Sequence, residues 1–73
     1  MLTRVFQDVK TSNTWKPRVE EHTFRNGERF YSFRDRFGRP FDVTKEEAEQ
    51  IVNEWGMVDV TEEWEAEGWI SNV

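Results

Sequence analysis

Four arginines interleaved with aromatic rings, and two tryptophans set among glutamates, are the parts of this chain equipped for recognition chemistry. The first group lies in RFYSFRDRFGRP, residues 29–40, where Arg29, Arg34, Arg36 and Arg39 sit between Phe30, Tyr31, Phe33 and Phe37. Guanidinium groups pair phosphates and aromatic faces stack bases. The composition therefore suits single-stranded nucleic acid held by Arg29, Tyr31, Arg34, Arg36 and Arg39. The stretch lacks the Gly–aromatic order of an RNA-recognition strand. A plainer reading puts alternate aromatics in a core, the arginines in water and Asp35 in an internal ion pair.

The second group lies in TEEWEAEGW, residues 61–69, where Glu62, Glu63, Glu65 and Glu67 surround Trp64 and Trp69. Tryptophan is a common anchor of protein interfaces, and flanking carboxylates speed association with a basic surface. This pattern fits docking onto a basic groove of another protein, including mimicry of nucleic acid by carboxylates standing in for phosphates. Here too a plainer reading exists, with both tryptophans closing the core and the glutamates solvated. Three of the four tryptophans follow residue 54, and so small a core has little room for all of them.

Catalysis finds less support. The chain has one His, no Cys and three Ser, and no nucleophile lies near His22 in sequence. A His beside aromatics in a strand reads as a packed or hydrogen-bonded spacer. The acid pairs at 20–21, 46–47 and 62–63 point apart on any strand or helix and read as solvated surface. Without Cys there is neither a disulfide framework nor a thiolate metal site. The acidic stretch 59–67 lacks the alternation and central Gly of a calcium loop. No phosphate-binding Gly motif is present, so no cofactor and no metal are expected.

Charge divides along the chain. Residues 1–43 hold nine Lys/Arg against six Asp/Glu, whereas residues 44–73 hold one Lys against nine acids, giving −5 in all. Such a chain can present two faces of opposite sign, or fold its acidic end back on the basic one. At 73 residues, 36% hydrophobic and 15% aromatic, it fits one small domain with a compact aromatic core. The start, MLTRVFQDVK, has no apolar run of the secretory type, and no segment is long enough to span a bilayer. These features point to the cytoplasm, or to a host cytoplasm if the protein is phage-encoded, and away from membranes.

The elements that must position these groups are partly legible. Residues 2–9 carry helical spacing, but their two valines and missing N-cap favour a strand. Residues 10–17 read as a polar loop bearing Trp15. Asn26-Gly27 marks a β-hairpin over 18–37. A two-residue turn would place His22, Phe24, Tyr31 and Phe33 on one face, with Val19, Thr23 and Phe30 on the other. A bulged turn would shift this register by one. Gly38 and Pro40 form a second turn. Thr44 and Glu47 make a capping box, Val43 can staple onto Ala48, and Ala48, Ile51, Val52 and Trp55 follow at helical spacing before Gly56. Residues 45–55 are therefore a helix. Residues 57–60 form a short edge strand, and Thr61 caps a last helical turn or two.

The expected architecture is α+β, an antiparallel sheet packed by one helix with a partly helical C-terminal segment. The expected function is non-catalytic protein binding on a larger machine. Small phage regulators and inhibitors of transcription are an example of the class, and RNA polymerase an example of a target with basic grooves.

Overall fold

The computed structural model describes residues 1–11 and 16–70. Trp15, expected in the 10–17 loop, lies outside the described residues. Five antiparallel strands form one sheet: β1 (Leu2–Gln7), β2 (Arg18–Thr23), β3 (Arg29–Arg34), β4 (Pro40–Val43) and β5 (Val58–Asp59), in the order β4-β3-β2-β1-β5. Helix α1 (Lys45–Trp55) carries the chain from the β4 edge to the β5 edge, and α2 (Thr61–Ala66) follows β5. The expected α+β architecture is present, and α1 packs against the sheet.

The β2–β3 hairpin takes the bulged alternative rather than the two-residue turn. Phe24 N–H donates to Glu28 (2.8 Å) and Gly27 N–H to Phe24 (3.0 Å), so three residues separate the closing pair. Gly27 sits at φ 89°, a conformation that costs a side-chain-bearing residue dearly. Asn26 steadies the turn by accepting from the Glu28 N–H at 2.9 Å. The added residue slips the register by one, pairing Val19 with Phe33, Glu21 with Tyr31 and His22 with Phe30. The β3–β4 turn repeats this geometry, with Asp35 N–H donating to Arg39 and Gly38 N–H to Asp35.

That slip decides which side chains share a face. Pleat alternation puts Val19, Tyr31 and Phe33 toward α1, where they join Phe6, Val43, Ala48, Ile51, Val52 and Met57 in one apolar cluster. The opposite face carries Val5, which joins Val60 and Ile70 with Leu2 and Trp64 against them. The sheet thus separates two small cores, one under each helix.

Helix α1 has the expected ends. Thr44 accepts from the Glu47 N–H (3.1 Å) and Glu47 accepts from the Thr44 N–H (3.0 Å). At the other end Gly56 N–H reaches Asn53 and Met57 N–H reaches Val52, a Schellman closure that also packs Met57 beside Val52. Thr44→Ala removes one side of the box, and thermal unfolding should register a loss of about 1 kcal/mol. Thr61 departs from its expected role. Residue 61 is the first of α2 and Val60 stands at the N-cap; the Thr61 N–H donates to Asp59 (2.9 Å), and the Thr61 hydroxyl accepts the Val5 N–H of β1 at 3.1 Å. Strand β5 pairs only with Phe6 and Gln7, so the Val5 N–H just past it takes the nearest acceptor. Among the described residues no helix is long and apolar enough to cross a membrane.

Candidate functional site

The acid pair at 20–21 is the largest departure from the sequence reading. Its members do point apart, yet both are buried, at 6% and 5% exposure. On the α2 face Glu20 accepts from Arg18 Nε and contacts His22 Nε2 at 2.9 Å, and Arg34 Nε lies 3.3 Å away. Burial pushes the Glu20 carboxyl up, but its bond to Arg18 and the nearby positive charge outweigh this and hold it below its ordinary value. On the α1 face Glu21 accepts from Thr3 (3.0 Å) and from the Tyr31 hydroxyl (3.1 Å). Burial, then the Glu21 carboxylate, raises the Tyr31 phenol above its usual range. Strand neighbours thus provide partners that a linear reading assigned to water.

His22 stacks on Phe30 (centroids 4.7 Å, 10° between planes) while bonded to Glu20. An open groove of about 430 Å³ between α1 and the sheet mixes Arg4, Arg29 and Lys45 with Glu21 and Glu49. It holds no nucleophile–base pair of the kind hydrolysis needs. Among the described residues no three His, Asp or Glu side chains converge as a metal site.

The arginine–aromatic stretch is divided by the pleat. Arg29 and Tyr31 lie on the α1 face, and Tyr31 packs against the apolar cluster there. Arg34 turns to the other face, toward Glu20, and donates to the Gly38 carbonyl at 3.1 Å. Arg36 and Arg39 come together at the β3–β4 turn, over the ring of Phe37. Asp35 uses its carboxylate on the backbone N–H groups of Phe37 and Arg39 rather than in the expected ion pair.

The acidic C-terminal group stays together. Trp64 sits half-buried against the Val5–Val60–Ile70 cluster, with the Arg18 guanidinium 5.3 Å from its ring centroid. Trp69 lies against Trp64 (centroids 6.4 Å) but is 67% exposed, and its indole N–H donates to Glu67 at 2.8 Å. Glu62, Glu63 and Glu67 are exposed and Glu65 partly so. An open acidic groove beside them is lined by Arg4, Asp59, Thr61, Glu62, Glu63 and Glu65. Arg4–Asp59 (3.2 Å) is the one ion pair joining the acidic end to the basic end among the described residues. Fold-back therefore leaves most of the α2 carboxylates available.

Comparison with protein-family models, with curated proteins and with solved structures finds no match to this chain.

Proposed function

We propose that the protein is a non-catalytic binding factor that docks its α2 surface onto a basic groove of a larger protein. The supporting observation is Trp69, a large exposed ring that lies against Trp64 and donates to Glu67, next to a helix whose Glu62 and Glu63 are exposed. A pre-positioned indole loses little entropy on binding, and the surrounding charge steers encounter with a basic partner. Enzymes that process nucleic acid, RNA polymerase among them, expose such grooves in the cytoplasm. A regulator or inhibitor of one of them is the reading these features support.

Capture from nuclease-treated lysate identifies the partner, and titration of the purified pair tests the anchor. Trp69→Ala should weaken that pair by about 2 kcal/mol or more, roughly thirtyfold, while leaving the fold intact. Unchanged affinity in the folded variant would remove α2 as the docking surface.

A further inference from the structure

The β3–β4 turn carries a surface of different chemistry. Phe33, on the α1 face, meets Trp55 edge-on at 5.4 Å and Phe41 at 6.3 Å. Phe33, Phe37 and Trp55 wall an open groove of about 430 Å³. Phe37 is 62% exposed, Phe41 48% and Trp55 42%, an unusual concentration of bare rings for so small a protein.

Cations from two separate loops gather around it. The Arg36 and Arg39 guanidiniums stand 5.2 and 5.4 Å from the centre of the Phe37 ring. Lys10 brings its ammonium beside Gly56, directly after Trp55, and Lys16 Nζ donates to the carbonyl of Thr11 on the groove wall. The acids at the groove are engaged locally. Asp8 accepts the Lys10 N–H, and Asp35 accepts those of Phe37 and Arg39. Four cations, Lys10, Lys16, Arg36 and Arg39, against these two carboxylates leave the rim positive although the chain carries −5.

We propose that this groove binds single-stranded nucleic acid, with an unpaired base stacked on Phe37 and the adjoining phosphates held by Arg36 and Arg39. Rings at the surface give a stacking platform, and guanidiniums beside them pair the backbone. A duplex keeps its bases inside, so the site selects single strands. Arg29, Tyr31 and Arg34 are not part of it: Arg29 and Tyr31 share the α1 face but line the other groove, between α1 and the sheet, and the pleat turns Arg34 toward Glu20. The site is distinct from α2 and stands or falls separately from the docking function.

The fold supplies a matched control. Arg25 occupies in the β2–β3 turn the place that Arg36 occupies in the β3–β4 turn, with the same backbone hydrogen bonds around it. Binding is read by fluorescence anisotropy of a labelled oligothymidylate at low salt. Joint Arg36→Glu and Arg39→Glu should weaken binding at least tenfold and reduce the salt slope by about 1.4, the share of two phosphates on a single strand. Phe37→Ala should weaken it about tenfold, within the range expected for one stacked base. Arg25→Glu should change it less than about twofold, because its charge lies outside the site. All these side chains are exposed, and thermal unfolding of each variant confirms the fold. No binding by the unaltered protein overturns the proposal. So does equal loss from Arg25→Glu and Arg36→Glu, or equal binding of duplex. Competition by polyglutamate as strong as that by the oligonucleotide, with Phe37→Ala silent, would assign the groove to acidic polypeptides instead.

Discussion

Replacing Glu20 with glutamine is expected to cost roughly 2–4 kcal/mol, somewhat below the range for breaking a fully buried ion pair because the arginines keep some contact with water. The carboxylate is the shared partner of Arg18, Arg34 and His22, and its side chain is only 8% exposed. The amide keeps the shape but removes the charge. Arg34 Nε is already buried, within ion-pair distance of Glu20 but without a hydrogen-bonded geometry, so it depends on that charge alone. A domain of this size has only about 4–11 kcal/mol of stability in total. Urea unfolding should therefore show a large fall in midpoint with little change in slope.

Acid should have the same effect on the unaltered protein. Glu20 is held below its ordinary 4.5, because Arg18, His22 and Arg34 outweigh burial. Asp59 is held below its ordinary 3.8, because its bonds from Thr61 and Arg4 outweigh burial. Each carboxyl binds its proton more tightly in the unfolded chain. Their contribution is thus complete above those ordinary values and is lost as pH falls below them. Glu20→Gln should flatten that loss, and an acid limb as steep as before would show that Glu20 does not carry it.

The second large effect is expected at Trp64. Trp64→Ala opens space against Val5, Val60, Ile70 and Leu2 and strips the ring from beneath Arg18. A half-buried tryptophan should cost about 2–3 kcal/mol, less than a fully buried one. At this chain length that lowers the thermal midpoint by roughly 10–20 °C. Trp69→Ala, by contrast, should move stability by no more than about 0.5 kcal/mol, since its ring is mostly in water. Equal destabilisation by both would mean that Trp69 is part of the core, and the docking anchor would lose its basis.

Local signals account for what was legible in the sequence. Helix α1 is bounded by a capping box and a left-handed Gly, both local chemistry, and it spans the expected residues 45–55. Residues 2–9 contain the expected strand, and the brief strand at 58–59 joins the sheet edge. Register was not fixed by local chemistry. Asn-Gly serves both a two-residue turn and a three-residue turn with a bulge, so the sequence leaves both registers open, and the structure has the bulged one. Strand β4 has no local signal beyond the turn residues Gly38 and Pro40, since Pro40 and Asp42 both disfavour strands and only pairing with β3 makes it one. The burial of Glu20 and Glu21 was hidden for the same reason: Arg34 and Tyr31 reach them across a strand pair. Of the two candidate surfaces, the acidic one is contiguous in sequence and remained so in space. The basic one was divided by the pleat, and Lys10, Lys16 and Trp55 at its surviving end belong to segments no linear motif connects to Arg36.

The ends of the sheet restrict how anything can attach to it. Along β4, pairing with β3 turns the backbone of Pro40 and Asp42 outward, and Pro40 has no N–H to offer. The next N–H, that of Thr44, is already taken by Glu47. On the far side β5 is two residues long. Neither margin offers the run of free amides and carbonyls that an incoming strand would need. Recognition must therefore pass through side chains on the faces and turns, and the same closure discourages copies of the protein from extending one another's sheets into fibres.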